Sequence, residues 1–175
     1  QNARVCDFSW IKKIYLDSFN KENRYSLIKL LLNLYFKRAN IYVLLIKNDI
    51  SSFLYSIENK NERFILYLAV KENYRNKGIG TYILKWYLNA NNDKEIYLNI
   101  DEINKTYDDY IIRKKRLDFY IKNNFYDTNY ISINNDLISH ILSNKQEFNV
   151  EKYKLFDKKI SQYFLCKSDK ITRLS

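Results

Sequence analysis

The sequence is poor in the residues that interrupt regular structure. Its 175 residues include no proline and two glycines, which excludes collagen-like, proline-rich and glycine-linker proteins. The two cysteines, Cys6 and Cys166, lie near opposite ends of the chain, with neither the spacing of a zinc site nor the density of a disulfide framework. We therefore expect two reduced thiols and no bound metal ion.

Long apolar runs are absent as well. The most apolar stretch, residues 27–36, is interrupted by Lys29 and Asn33, whereas a helix that spans a membrane needs about 20 apolar residues. The N-terminal residues show no signal-peptide pattern. With the small number of cysteines, these absences predict a cytoplasmic protein that has no membrane partner.

Apolar and aromatic side chains are plentiful. Apolar residues make up 46% of the chain and aromatic residues 17%, which excludes disorder for most of it. A chain of this length buries roughly 70% of its unfolded surface, which is enough for one core. We therefore predict a single domain over residues 1–175. Its core is expected in residues 8–156, followed by a basic C-terminal tail, residues 157–175, whose structure the sequence leaves undefined.

The chain is strongly basic. Its 30 Lys and Arg residues outnumber 20 Asp and Glu residues, which gives a formal net charge of +10. Such a charge favours an anionic partner: nucleic acid, a membrane surface or a phosphorylated ligand. An excess of Lys, Asn, Ile and Tyr is also typical of an AT-rich bacterial genome, and in that case the charge is spread over the whole surface. Composition leaves both explanations open.

The spacing of apolar residues predicts an alternation of helices and strands. Helical spacing predicts four helices, and β-forming runs between turn residues predict six strands. The helices are predicted at residues 8–19, 22–37, 80–89 and 107–122, and the strands at 41–46, 52–57, 64–70, 95–100, 125–133 and 148–156, with a long connection at 134–146. This order predicts a mixed α/β fold of the α+β type, in which helices cover both faces of a central sheet.

Both glycines lie in one short segment, between the apolar strand 64–70 and the next helix. Glycine is needed where the backbone takes a positive φ or approaches a ligand closely. Gly78 and Gly80 lead into a helix N-terminus, whose unpaired N–H groups favour an anion, and Arg75 and Lys77 add two positive charges beside them. The segment predicts a phosphate or pyrophosphate site. The alternative is a glycine-assisted loop with ordinary surface cations.

Two well-known phosphate-binding patterns do not fit this segment. The P-loop pattern of Gly, four residues and Gly-Lys-Ser/Thr is absent. The dinucleotide fingerprint needs three glycines in a tight turn directly after a strand, and an acidic residue about twenty positions later. Asp101 meets the last condition, but Ile83 stands where the third glycine should be. Residues 71–77 also separate Val70 from Gly78, so the turn is not tight. A dinucleotide site is therefore excluded.

A third pattern fits. The strand end Leu68-Ala69-Val70 is followed by Arg75-Asn-Lys-Gly-Ile-Gly. This is Arg-x-x-Gly-x-Gly, which resembles the acetyl-CoA-binding motif of the GNAT (Gcn5-related N-acetyltransferase) superfamily. The segment from Phe119 to Phe125 is similar to that family's Phe-Tyr-x-Lys-x-Gly-Phe, with Asn replacing the Gly. The order of elements from about residue 22 to 156 also agrees with the family.

The resemblance implies both a fold and a cofactor site. The fold is a mixed, splayed sheet that holds acetyl-CoA between the strands ending near Val70 and Ile100. Backbone N–H groups around residues 68–70 would bind the oxyanion formed during transfer. The residues expected to bind acetyl-CoA are Leu68, Ala69, Val70, Arg75, Asn76, Lys77, Gly78, Ile79, Gly80 and Thr81.

The same resemblance implies a catalytic tyrosine. Tyr120 occupies the position where this family often carries a tyrosine that donates a proton to the leaving CoA thiolate. In a chain with 17 tyrosines, a packing role is the alternative. Arg113 and Arg116, two turns and one turn earlier, stand where the family often has an Asn that touches the pantetheine arm and a small residue. They can bind CoA or an acidic acceptor, or pair with Asp109 and Asp118.

An amine acceptor must react as its free base, so a catalytic base is expected. The acidic residues nearest the expected cleft are Glu58, Glu62 and Asp101, and we predict Glu62, which precedes the motif strand. The alternative for Glu62 is a solvated turn residue. His140, the single histidine of the sequence, falls in the predicted connection with no partner in view, which favours a surface or capping role.

The sequence therefore predicts an acetyl-CoA-dependent N-acetyltransferase. It would move an acetyl group to an unidentified primary amine by direct attack in a ternary complex, without a metal ion. A homodimer is compatible with the sequence. The alternatives are a basic nucleic-acid-binding module, an acetyltransferase directed at tRNA or protein, and a catalytically silent GNAT fold that binds CoA.

Overall fold

Helices and strands alternate along the computed structural model, which describes residues 8–134 and 137–174. The predicted fold class is confirmed: the chain is a mixed α/β protein with seven strands and five α-helices in this part. The helices are α1 (Phe8–Ser18), α2 (Leu27–Tyr35), α3 (Ile79–Ala90), α4 (Tyr110–Lys122) and α5 (Val150–Phe164), and the strands are β1 (Ala39–Ile46), β2 (Asp49–Glu58), β3 (Glu62–Val70), β4 (Glu95–Asp101), β5 (Tyr126–Asn134), β6 (Leu137–Ser143) and β7 (Lys170–Arg173).

The chain is divided into two compact units after Asp93. The N-terminal unit contains α1 to α3 and an antiparallel meander of β1, β2 and β3. Lys47 and Asn48 form the turn between β1 and β2 with φ values of 50° and 65°. Two residues with positive φ are what the tight hairpin turn requires, and the predicted strands 41–46 and 52–57 fall within β1 and β2.

Alternate residues of this meander contact different helices, as expected for strands. On one face the Tyr55 hydroxyl donates to Leu30 O of α2 at 2.9 Å, and the Tyr67 hydroxyl lies 3.1 Å from that of Tyr15 in α1. On the other face Tyr42 contacts Tyr87 of α3, with 5.5 Å between ring centroids. In the N-terminal unit, helices therefore cover both faces of the strands, as predicted.

Helix α2 begins later than the sequence predicts. The predicted helix 22–37 is reduced to Leu27–Tyr35. The Tyr67 hydroxyl accepts from Tyr25 N at 3.0 Å and donates to Asn23 O at 3.0 Å, so these backbone groups are bound to a side chain and not to a helix. Ser26 then caps α2, its hydroxyl accepting from Lys29 N.

The C-terminal unit contains four antiparallel strands in the order β4-β6-β5-β7. Helix α5 packs against β4. Its Tyr153 and Phe156 rings lie 5.2 and 6.4 Å from the ring of Tyr97, and the Tyr153 hydroxyl donates to Asn99 Oδ1 at 3.0 Å. Helix α4 contacts β4 and β5.

Two predictions for the last forty residues are wrong. The predicted strand 148–156 is the first half of α5, whose buried Tyr153, Phe156 and Ile160 recur at helical spacing. The predicted connection 134–146 contains β6. The tail from residue 157, whose structure the sequence left undefined, continues α5 and adds β7. In the short window 148–156, apolar residues alternate as they would in a strand, and the helical period shows only when the window extends beyond it. The single domain stays a prediction.

Candidate active site

The segment that carries both glycines connects β3 to α3. A short 3₁₀ turn, Glu72–Tyr74, follows the strand, and Gly78 caps the helix. Asn76 and Gly78 both have left-handed backbone conformations, with φ of 60° and 76°. A Cβ built on Gly78 would meet no atom within 4 Å. Glycine is therefore favoured at position 78 by its backbone conformation and not by lack of space.

Six consecutive N–H groups after Arg75 form no backbone hydrogen bond of good geometry with the residues that the structure describes. They belong to residues 76–81, which turn into α3, and the first bond of the helix runs from Tyr82 N to Gly78 O at 2.9 Å. A helix N-terminus carries about half a positive charge, and left-handed residues are typical of loops that surround an anion with N–H groups. The segment can bind a phosphate group.

Two cationic side chains border these N–H groups. Arg75 Nε donates to Val70 O at 3.0 Å, which fixes the guanidinium at the end of β3, while its terminal nitrogens contact no acceptor among residues 8–134 and 137–174. Lys77 Nζ donates to Asn73 O at 3.0 Å, a neutral acceptor. Both positive charges are therefore available to an anionic ligand.

The predicted cofactor-binding residues form one continuous strand, loop and helix start. Leu68, Ala69 and Val70 end β3, where they pair with residues of β2 in register. Ala69 is buried, and Leu68 and Val70 are half-buried. Asn76 and Lys77 lie in the loop, and Ile79, Gly80 and Thr81 form the first turn of α3. Their role toward acetyl-CoA stays a prediction.

A cavity of about 480 Å³ adjoins this loop within the N-terminal unit. Trp10, Lys13 and Asp17 of α1 line one side, and Lys71 and Arg75 line the other. Sequence reasoning missed this contribution of α1, although positions 10, 13 and 17 share one helix face. Lys71 is neutralised by Asp49, at 2.8 Å, whereas Lys13 and Asp17 form no ion pair with the residues described. The size suits a small organic molecule.

Glu62 lies far from the loop. It begins β3, and Val70 ends the same strand eight residues later, a span of about 26 Å. The Glu62 side chain is buried and accepts from Asn59 Nδ2 at 3.0 Å. These contacts stabilise the β2–β3 turn, so the structure does not bring Glu62 to the other predicted site residues. Its role as base stays a prediction.

Glu58, another acidic candidate, is surrounded by donors. Its carboxylate accepts from the Tyr42 hydroxyl at 3.0 Å and the Ser56 hydroxyl at 2.8 Å, and Arg63 Nε lies 3.5 Å away. Burial, reinforced by this carboxylate, raises the pKa of Tyr42 and of Tyr87. Because one of its oxygens accepts both hydroxyls and the other faces Arg63, Glu58 is better suited to holding these side chains in place than to accepting a proton from a substrate.

Tyr120 lies in the last turn of α4, in the C-terminal unit. It is 8% exposed and packs edge-on against Phe119 and Phe125. Burial raises the pKa of Tyr120 to about 12, against the opposing charge of Arg116. Its hydroxyl forms no hydrogen bond with the residues that the structure describes. Tyr120 is therefore a neutral phenol whose proton is not donated to any of the described residues.

The two arginines of α4 form ion pairs. Arg113 Nε donates to Asp109 Oδ1 at 2.6 Å, and its guanidinium lies 4.4 Å from the centre of the Tyr107 ring. Arg116 donates to Asp101 Oδ2 at 2.6 Å, not to the expected Asp118. The ion-pair interpretation of Arg113 and Arg116 is thus the one these contacts favour. Asp101 serves as the partner of Arg116.

His140 is part of a strand and has a partner, unlike the sequence-based expectation. It lies in β6, opposite Ile100 of β4 and Ile131 of β5, and its Nδ1 is 3.1 Å from Asp127 Oδ2. Burial alone would raise the pKa of Asp127, but hydrogen bonds from His140 and Asn129 N bring it below its ordinary value. Only the strand register places these two residues side by side.

No group of three or more His, Cys, Asp or Glu side chains in residues 8–134 and 137–174 could hold a metal ion. Within these ranges no helix has the length and apolar character needed to cross a membrane. Cys166 is exposed, and Cys6 lies outside the described residues.

Comparisons with known proteins give independent evidence on the family of this chain. Residues 37–127 match the family model "Acetyltransferase (GNAT) domain", and this range includes β3, the glycine segment and Tyr120. No curated protein matches the chain significantly.

Solved structures match over most of the chain. A protein described as a GNAT-family acetyltransferase from Bacteroides thetaiotaomicron has a TM-score of 0.71 and 16% identity, covering 93% of this chain and 95% of its own. The ribosomal-protein-S18-alanine N-acetyltransferase of Escherichia coli gives a TM-score of 0.65, 14% identity and coverages of 86% and 95%. Arabidopsis thaliana Naa50, in complex with the bisubstrate analogue CoA-Ac-MVNAL, gives 0.62, 18% identity and coverages of 82% and 95%. At such identities the likeness establishes the fold, while the family model matches more than half of the chain; the chain belongs to the GNAT family of acetyltransferases.

Proposed function

We propose that the protein is an acetyl-CoA-dependent N-acetyltransferase that acts on a primary amine in a ternary complex. The observation that carries this proposal is the run of N–H groups at residues 76–81, which form no backbone hydrogen bond of good geometry with the described residues and include the left-handed Gly78 that caps α3. One structural relative, Naa50, is in complex with a bisubstrate analogue that contains CoA, which supports the choice of ligand. The family membership supports acetyl transfer as the reaction.

The N-terminal unit would bind the donor. The N–H groups of residues 76–81 and the guanidinium of Arg75 suit the two negative charges of a pyrophosphate. The end of β3, Leu68 to Val70, would lie along the pantetheine arm, and a backbone N–H there would bind the carbonyl oxygen as negative charge develops on it. Because Arg75 is held at Val70 O, the anion-binding group and the reacting end are fixed relative to each other.

Proton balance gives Tyr120 a limited role. The acceptor nitrogen loses a proton on acylation and the CoA thiolate, whose conjugate acid has a pKa near 8.5, gains one. A phenol with a pKa of about 12 cannot transfer its proton fully to that thiolate without a cost of about 5 kcal/mol. Tyr120 is therefore proposed to donate a hydrogen bond to the leaving sulfur, which stabilises the thiolate until the proton from the amine arrives.

The acceptor amine is proposed to enter the cavity beside α1. A carboxylate and an aromatic ring are the groups that attract an ammonium ion, and both Asp17 and the half-exposed Trp10 line this cavity. Because the Asp17 carboxylate would attract the amine as its ammonium ion, Asp17→Asn should raise KM for the amine while leaving acetyl-CoA affinity unchanged. The bound amine must then lose a proton before it attacks: with a pKa of about 10.4 it is about one part in a thousand neutral at pH 7.4, a cost of roughly 4 kcal/mol.

The decisive experiment is acetyl-CoA binding by calorimetry, followed by a thiol-release assay over a panel of primary amines. Arg75→Glu should abolish binding, because it places a negative charge beside the anion site. Lys60→Glu is the matched control: Lys60 is an exposed cation in the β2–β3 turn, and binding should persist. Failure of the wild-type protein to bind any coenzyme A thioester would refute the proposal. Binding without thiol release across the panel would show a silent CoA-binding fold.

A further inference from the structure

Helix α2 presents an apolar stripe to solvent. Ile28 is 69% exposed, Leu31 40%, Leu32 48% and Tyr35 80%. Their spacing of three, one and three residues places them on one face of the helix. We call these four residues the α2 stripe. An exposed face built from the largest apolar side chains of a helix is a feature of interaction surfaces.

The contacts of α2 establish which face points inward. Leu30 and Asn33 are buried. Leu30 O accepts from the Tyr55 hydroxyl of β2 at 2.9 Å, and Asn33 Nδ2 donates to Lys29 O at 3.0 Å. Rotating the helix to bury the stripe would break the bond to Tyr55 and expose Leu30. The rotation of α2 is therefore fixed, and the stripe is left for a partner outside the N-terminal unit.

The area of this surface is close to that of a stable interface. Phe36, directly after α2, is 54% exposed and extends the stripe. With about 200 Å² for each fully exposed large side chain, the exposed fractions of these five residues leave roughly 600 Å² of accessible surface. A specific protein–protein interface buries about 800 Å² on each partner, so the stripe supplies most of the area and its polar margin can supply the rest.

The charge distribution identifies the partner. The stripe has no charged residue, while the whole chain carries a net charge of +10. Two copies with this net charge repel each other, so an uncharged face is where they can approach at the lowest electrostatic cost. We propose that the α2 stripe is the interface of a homodimer, formed by two α2 helices that pack antiparallel about a two-fold axis. This inference is independent of the proposed acetyl transfer.

The stripe is self-complementary in this arrangement. In a two-fold antiparallel pair centred between Leu31 and Leu32, residue numbers that face each other add to 63. Ile28 then faces Tyr35 of the second copy at both ends, and Leu31 faces Leu32 at the centre. Lys29 falls opposite position 34 and Lys37 opposite position 26, which are leucine and serine, so no like charges meet. Two-fold symmetry of this kind closes the assembly at two copies.

Mass measurement by light scattering after gel filtration tests the dimer. The wild-type protein should elute at twice 21.4 kDa. Ile28→Glu and Tyr35→Lys should each reduce the mass to that of one chain, because each buries an unpaired charge twice in the interface. The combined variant should recover the dimer, since the carboxylate introduced at position 28 would then face the ammonium group introduced at position 35 of the second copy. Ile112→Glu, at a residue of α4 that is 62% exposed, is the matched control and should stay dimeric.

Three outcomes would overturn the inference. A wild-type mass of one chain at the highest concentration reached would refute self-association and leave the stripe to a different partner. An unchanged dimer in folded Ile28→Glu would place the interface elsewhere. A monomeric combined variant would refute the antiparallel register. Should a charged variant fail to fold by circular dichroism, Leu31→Cys in a chain with Cys6 and Cys166 replaced by serine provides the second test. It should form a disulfide between copies, and its absence under oxidation would refute the two-fold contact.

Discussion

Replacing the two glycines by alanine, one at a time, should change stability in opposite directions. Gly78 has a φ of 76°, and a non-glycine residue in the left-handed region costs about 1–2 kcal/mol. Because a Cβ there would meet no atom within 4 Å, no steric term is added. Gly80 lies inside the first turn of α3 and has no positive φ, so alanine should stabilise the helix by up to about 1 kcal/mol.

For a chain of this length, 1 kcal/mol shifts Tm by roughly 2–4 °C. Gly78→Ala should therefore lower Tm by roughly 2–8 °C, and Gly80→Ala should raise it by up to about 4 °C. The affinity of the two variants for acetyl-CoA should not follow their order in Tm. Gly80→Ala adds a methyl group beside N–H groups that form no backbone hydrogen bond of good geometry with the described residues, so we expect at least a tenfold loss of affinity in a protein that is more stable than the wild type.

Differential scanning fluorimetry and calorimetry on the same preparations measure both quantities. A Gly78→Ala variant as stable as the wild type would refute the left-handed conformation at position 78. Undiminished acetyl-CoA affinity in Gly80→Ala would refute close approach of the pyrophosphate to the α3 N-terminus. Stability and binding are thus separated at neighbouring positions, and general damage to the fold cannot imitate the expected result.

Three further predictions concern individual side chains. Tyr120→Phe should reduce turnover at least tenfold with little change in acetyl-CoA affinity; unchanged turnover would remove Tyr120 from the reaction. Glu62→Gln should leave the pH profile of kcat/KM unchanged if Glu62 only holds the β2–β3 turn. Loss of the increase in kcat/KM with rising pH would instead establish Glu62 as the base. Burial, with the charge of Asp169, raises the pKa of Asp157 to about 7. Because the unfolded chain releases this proton near pH 4, the free energy of unfolding should fall as the pH rises from about 4 to 7. Asp157→Asn should make the free energy of unfolding, measured by urea titration, less dependent on pH in this range.

The parts of the site that depend on local sequence could be predicted. Gly78, Gly80 and Arg75 lie within six residues of one another, and their function follows from backbone geometry at one helix start. Strands β1 and β2 could also be predicted from the sequence, because both runs are apolar and Asn48, which accepts a positive φ, lies between them. Residues 68–81 therefore lie in the predicted order on the predicted elements.

The parts that depend on pairing between distant segments could not be predicted. His140 meets Asp127 only through the register of β5 and β6. Burial of Glu62 follows from the turn around it, which charge alone does not reveal. Helix α5 was missed because Asp157, a charged residue, is buried where the helical pattern requires an apolar one. Strand pairing and the burial of a charge are tertiary effects, which override local preference.

One phenol couples the connection between α1 and α2 to the strand of the motif. Tyr67 lies two residues before Ala69, and its hydroxyl holds the backbone of Asn23 and Tyr25. The Tyr15 hydroxyl donates to Tyr25 O at 2.9 Å as well, so two phenols together hold this connection. A ligand that displaced β3 would therefore be expected to displace the segment between the first two helices with it, since the two are hydrogen-bonded directly.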